Sequence, residues 1–194
     1  LLVQPNANYS VDFPEKDNYM AFRPDGNQVE IGFYDLDSND INYKVLGFGD
    51  EWNGGNMAKG PGGGKKIIYL QNFLKTYDGK CKYIVFSDCY DVIALQNPKL
   101  LFEKYKKYFN NKIVFSAEKF CWPDDNLKDK YPQVNNDFKF LNSGGFIGTF
   151  EQIKKLVEKP ILPSDDDQLY YTHRFLENQN DIVLVSLRDW QDEK

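Results

Sequence analysis

Tyr83-Ile84-Val85-Phe86-Ser87-Asp88-Cys89-Tyr90-Asp91 decides how the rest of the chain is read. Residues 83–87 make a continuous, mostly apolar run of strand length, the pattern of a strand covered on both faces. The run ends directly in Asp88. A turn just past the strand would aim Asp88 and Asp91 at one hard cation that also takes diphosphate oxygens. Such an ion offsets charge building on a departing nucleotide diphosphate. Taken alone, the pair reads first as a turn or helix cap, a common use of Asp after a strand.

Upstream, Gly60-Pro61-Gly62-Gly63-Gly64 forms a flexible loop. Ile67, Leu70 and Leu74 then recur at helical spacing, predicting a helix from Lys65 that ends near Asp78-Gly79. A glycine-rich loop opening a helix offers backbone N–H groups and an ammonium to phosphate. It equally suits a mobile surface loop with solvated lysines. No Ser or Thr follows Lys65, so it is not a Walker A loop. Tyr43 to Gly47 reads as a short strand, and residues 1–42 hold weak strands such as Val29 to Tyr34.

Downstream, Asn97 caps a helix with Pro98 in its first turn and Leu101, Tyr105 and Tyr108 as its buried stripe. Ile113 to Ala117 is the next strand, and 140–148 a strand broken by close-approach glycines. Helices follow at 151–157 and 169–176. Ser164 and Asp167 have capping-box spacing before the last of these. One cap needs only one of Asp165, Asp166 and Asp167, and the excess of repelling acids points to a cationic or hydroxyl-bearing ligand. A sugar acceptor or a developing oxocarbenium ion fits that description. The alternation predicts a single α/β domain over residues 1–194, its mostly parallel central sheet flanked by helices and its ligands beyond the carboxyl ends of strands.

Composition narrows the function. The 194 residues are 41% hydrophobic, enough for one domain with a sizeable core. A net charge of -5 argues against a nucleic-acid polymer as partner. No stretch approaches the roughly 20 apolar residues of a membrane span. Cys81, Cys89 and Cys121 form no C-x-x-C pair, which argues against a zinc ribbon or a disulfide scaffold, and leave one bridge open, from Cys121 to Cys81 or to Cys89. The single histidine, His173, lies in a helical pattern and reads as structural. Trp52, Tyr90 and Trp122 suit stacking on uracil or a sugar face, or core filling, with Trp52 expected to be the most exposed.

Several blocks together resemble the glycosyltransferase domain of procollagen lysyl hydroxylases: Trp52-Asn53-Gly54-Gly55, Gly62-Gly63-Gly64-Lys65-Lys66, residues 86–92, Phe115-Ser116-Ala117-Glu118, Cys121-Trp122-Pro123, residues 140–148 and Asp165-Asp166-Asp167-Gln168-Leu169. Their order and spacing agree from about Tyr43 to Leu176. Giant viruses carry collagen-modifying relatives of this type. The resemblance implies a GT-A fold, manganese (Mn2+), UDP-glucose as donor, and retaining transfer of glucose to galactosylhydroxylysine of a collagen-like protein. By motif, Asp88 and Asp91 would bind the metal, Tyr90 and Trp52 the uridine, and Lys66 the diphosphate. Asp166, Asp167 and Asn142 would line the sugar and acceptor side. Trp122 would shape the donor or acceptor pocket, and Gly144 with Gly145 would let backbone approach the sugar.

Two departures stand out. The family places a His-Gly-Asn segment after this region, its histidine completing the metal site, and no counterpart precedes Lys194, so either the chain is incomplete at that end, the preferred expectation, or water and phosphate oxygens complete the metal site. Residues 1–42 match the family's opening strand and helix poorly. One histidine also leaves no room for the iron site of a hydroxylase. Alternatives are UDP-galactose transfer to hydroxylysine, glucose transfer to another sugar, or a non-catalytic UDP-sugar-binding domain. Self-association is left open. An animal-type member would sit in the endoplasmic reticulum lumen, a viral one in the host cell.

Overall fold

The computed structural model describes residues 29–34, 41–47, 50–55, 60–77, 81–88, 98–109 and 111–186, with the backbone alone for 29–34, 41–45 and 98. The elements in chain order are β1 (Val29–Tyr34), β2 (Ile41–Leu46), α1 (Gly64–Thr76), β3 (Tyr83–Asp88), α2 (Pro98–Tyr108), β4 (Ile113–Glu118), a 3-10 turn (Asp125–Lys130), β5 (Phe140–Thr149), α3 (Phe150–Leu156), α4 (Asp167–Glu177) and β6 (Ile182–Val185). The strands form one sheet in the order β2-β1-β3-β5-β4-β6.

The sheet is mixed, which corrects the expectation of a mostly parallel one. Only β4 and β6 pair in parallel, and the other four pairings are antiparallel. The shared direction of β3, β4 and β6 agrees with the expectation, whereas β1 and β5 run the opposite way. β3 and β4 run the same way, as their antiparallel partnership with β5 requires, and β6 follows β4. The carboxyl ends of β3 and β4 therefore share one edge of the sheet, with the start of β5 between them.

One face of β3 is buried and the other half-buried, which accounts for the apolar run from Tyr83 to Phe86. Ile84 and Phe86 pack with Ile67 and Leu70 of α1, Ile153 of α3 and Tyr171 of α4. Tyr83 and Val85 face the other way, toward Phe102 and Tyr105 of α2. Phe146 is the centre of the first layer, stacked on Phe86 at 4.6 Å and packed on Phe115 at 4.7 Å and Tyr171 at 5.3 Å. Such ring pairs add about 0.5–1.5 kcal/mol each beyond the area they bury.

Several boundaries differ from expectation. The buried stripe of α2 is Phe102 and Tyr105, while Tyr108 is 42% exposed. The Asn97 cap lies outside the described residues. Asp166, not Ser164, caps α4, its carboxylate accepting the Leu169 N–H. A capping box does occur, at Thr149 and Gln152 of α3. Strand β6, whose Ile182-Val183-Leu184-Val185 is an apolar run of strand length, and the 3-10 turn were not among the expected elements. Cys81 and Cys121 are free thiols, so no bridge joins them, and Cys89 lies outside the described residues. Among the described residues no helix is long and apolar enough to cross a membrane.

Candidate active site

Asp88 closes β3 at the edge where four elements meet. Across the β3–β5 ladder Ser87 faces Gly145. On the other side of β5, Phe115 pairs with Phe146 but the next residue, Ser116, pairs with Asn142. One step along β4 thus spans four along β5, and Ser143, Gly144 and Gly145 bulge out of that ladder. The bulge carries Gly144 to Asp88: a Cβ there would sit 3.5 Å from Asp88 Oδ2 and 3.1 Å from Asn142 Oδ1. With glycine there, no side chain from this position covers the carboxylate. Asn142 Oδ1 also accepts the Gly144 N–H at 3.0 Å, which holds the bulge in shape.

The glycine-rich loop packs against the acidic segment instead of presenting its amides outward. The N–H groups of Gly63, Gly64, Lys65 and Lys66 donate to the carbonyls of Gly54, Asp165, Pro163 and Gly63. Those four groups are therefore not a phosphate cradle, contrary to that reading of the loop. Glycine is required for the packing: Gly63 has φ 96, and a side chain at Gly64 would run into the Leu162 carbonyl. The return contact, Asp167 N–H to the Gly62 carbonyl at 3.0 Å, brings the first turns of α1 and α4 side by side.

Lys66 lies between them. Its Nζ is 3.0 and 3.2 Å from the two oxygens of Asp88 and 2.6 Å from Asp167 Oδ2. The side chains of Lys66 and Asp167 are 8% and 9% exposed and that of Asp88 29%. Burial alone would pull the ammonium's pKa down, but Asp88 and then Asp167 outweigh it and hold it above the ordinary lysine value. Lys66 thus faces inward as a counter-ion for two carboxylates. Burial pushes the Asp166 carboxyl up, against the Leu169 N–H that favours its ionised form.

The remaining residues fall on either side of this cluster. Asn142 and Gly145 lie along β5 beside it. Trp122, 58% exposed, stands on the segment after β4 and is tied to α4 by Gln168 Nε2, which donates to its carbonyl at 3.2 Å. Trp52 is half-buried, its indole N–H donating to the Gly55 carbonyl at 2.8 Å, so Trp122 and not Trp52 is the more exposed ring. Tyr90 and Asp91 lie outside the described residues. His173 is exposed on α4.

Four participants were assigned no role from the sequence. Glu118 ends β4 one residue past the expected strand, and burial raises its carboxyl although Gln168 and Asn142 both donate to it. Ser143 and Gln168 link Glu118 to Asp167. Beneath them the Tyr171 hydroxyl is buried without a hydrogen-bond partner, near Asp167 and Asp88. Only the position of Gln168, directly after the acidic run, hinted at any of this.

Among the described residues no three His, Cys, Asp or Glu side chains converge as a ready metal site. The donors present nevertheless suit a hard cation. Asp88 offers a partly exposed carboxylate that no side chain at Gly144 covers, and phosphate oxygens and water commonly complete such a shell.

A mixed sheet flanked by helices, with acidic side chains gathered at the ends of β3 and β4 around a glycine bulge, is the architecture of a GT-A-like glycosyltransferase domain. The PLOD GT domain family matches residues 33–188. The chain belongs to that family. It is 46% identical over 140 residues to procollagen-lysine,2-oxoglutarate 5-dioxygenase of Drosophila melanogaster, covering 71% of this chain and 19% of the relative. To the human multifunctional procollagen lysine hydroxylase and glycosyltransferase LH3 it is 42% identical over 141 residues, again 71% and 19%. A protein of Acanthamoeba polyphaga mimivirus is 39% identical over 148 residues, 76% of this chain and 32% of that one. The chain thus spans a third or less of the length of these relatives.

Proposed function

We propose that this domain is a metal-dependent, retaining transferase that moves glucose from UDP-glucose to galactosylhydroxylysine of a collagen-like protein. The observation that carries the reading is the convergence of Asp88, Lys66 and Asp167 beside the Ser143-Gly144-Gly145 bulge, in a chain of the PLOD GT domain family. A manganese ion held through Asp88, with Asp91 as the second carboxylate, would supply Lewis-acid stabilisation of the leaving diphosphate.

The protein's own residues do the rest. Lys66 fixes the carboxylates of Asp88 and Asp167 in place, so that little reorganisation accompanies charge development. The bulge lets backbone approach the sugar where a side chain would block it. Asp166, Asp167 and Asn142 line the face on which positive charge grows at the anomeric carbon and where the acceptor hydroxyl arrives. Trp122 supplies an exposed ring for stacking on a sugar, and Trp52 and Tyr90 serve the uracil.

The test is a UDP-release assay with a galactosylhydroxylysine peptide, UDP-glucose and manganese, with product mass read in parallel. Release that depends on both manganese and acceptor, with a hexose added to the peptide, is expected. No manganese-dependent release with any UDP-hexose would sink the reading.

A further inference from the structure

A carboxamide has chemically different ends, and at Gln168 each end meets what it requires. The Nε2 group donates to Glu118 Oε1 at 2.5 Å and to the Trp122 carbonyl at 3.2 Å. The Oε1 atom accepts the Ser143 N–H at 3.2 Å. The Ser143 hydroxyl, with one proton to give, lies 3.4 Å from Gln168 Oε1 and 3.3 Å from Asp167 Oδ2. Turning the amide over would set its oxygen against a carboxylate and a carbonyl, and its NH2 against an N–H. The residue is 8% exposed, so water cannot replace these partners cheaply.

This one side chain therefore joins segments that nothing local in the sequence connects. Glu118 and Trp122 belong to the end of β4 and the segment after it. Ser143 belongs to the β5 bulge, and Asp167, which precedes Gln168 in the first turn of α4, pairs with Lys66 and through it with Asp88. We infer that Gln168 is a positioning residue for glycosyl transfer, a clasp that holds the Trp122 segment in register with the Asp88 and Asp167 carboxylates that Lys66 bridges. The inference rests on the reading of this site as the transfer site.

Other side chains fail here for stated reasons. Asn is one methylene too short to reach across. Glu would face the Glu118 carboxylate with a like charge. Met keeps the volume and loses every hydrogen bond. Misplacing reacting groups by about 1 Å costs on the order of 10²-fold in rate, so release of the clasp should be read mainly in turnover.

The experiment compares the parent protein with Gln168→Met, Gln168→Glu, the exchange pair Glu118→Gln with Gln168→Glu, and Gln71→Met. Gln71 is a control amide away from the site that donates to the Val157 and Lys159 carbonyls at 2.6 and 2.9 Å. For Gln168→Met, UDP affinity should stay within about threefold while kcat falls roughly 10²-fold and the acceptor KM rises. Gln71→Met should lower the melting temperature and leave kcat unchanged. The exchange pair restores an amide-to-carboxylate hydrogen bond and should recover at least about tenfold over Gln168→Glu alone. Hydrogen exchange of the amides at 119–122, 124 and 143–145 should quicken in Gln168→Met and not in Gln71→Met.

If Gln168→Met matches Gln71→Met in kinetics and leaves those amides unchanged, the clasp is overturned. A parent protein that transfers no sugar would count against the proposed function instead. The clasp itself would then stand or fall on the exchange data.

Discussion

Lys66 shows why a residue type at a helix start does not fix its role. The sequence offers a lysine after glycines, and the phosphate reading follows from the helix N-terminus. In the fold that lysine is buried and spans Asp88 and Asp167. Lys66→Met would leave two carboxylates facing each other without a cation, and urea denaturation should show a loss of about 3–5 kcal/mol. The pH dependence has a definite sign. A lysine whose pKa is raised on folding contributes stability that is fully present below its unfolded value, 10.5, and is lost as pH rises through the higher folded value. The gap in melting temperature between parent and Lys66→Met should therefore hold from pH 7 to about 10 and narrow only beyond it. Gly144→Val tests the neighbouring position: it should weaken UDP-sugar binding at least about tenfold by calorimetry, because a side chain there would stand before Asp88.

At the scale of elements, the acidic run before α4 separates capping from chemistry. Asp166 is the cap, accepting the Leu169 N–H at 2.8 Å. Asp166→Asn keeps a capping oxygen and should leave stability nearly unchanged, whereas Asp166→Ala should cost about 1 kcal/mol in denaturation. If the carboxylate also serves transfer, both should lose turnover. Ser164 was expected as the cap because its spacing to Asp167 fits a capping box, but three successive acids offer competing caps and spacing cannot rank them. The strands teach the same lesson. β3 was legible because one buried and one half-buried face leave an unbroken apolar run, and Asp88 was legible because it closes the strand. The direction of β5 was not, since direction is set by which strands it pairs with, and its bulge arises only from pairing with Ser116. Phe146→Ala, removing the ring that packs on Phe86, Phe115 and Tyr171, should destabilise by about 3–5 kcal/mol.

For the molecule as a whole, one sheet edge collects what the chain scatters. Asp88, Glu118, Asn142 and Asp167 are far apart in sequence and come together because β3 and β4 point the same way with β5 running back between them. The motif blocks disclosed the family and held most of the acidic residues that gather at this edge, because each block is local. Glu118 and Gln168 stayed hidden because their significance lies in a hydrogen bond across 50 residues. The central claim is that this edge holds a nucleotide diphosphate through Asp88 and a divalent cation. Calorimetric titration of UDP into the parent protein and into Asp88→Asn, each with and without manganese, tests it most directly. Manganese-dependent binding by the parent, weakened at least about 30-fold in Asp88→Asn, is expected from the loss of a charged ligand. Equal UDP affinity in both proteins, or binding indifferent to manganese, would contradict the claim.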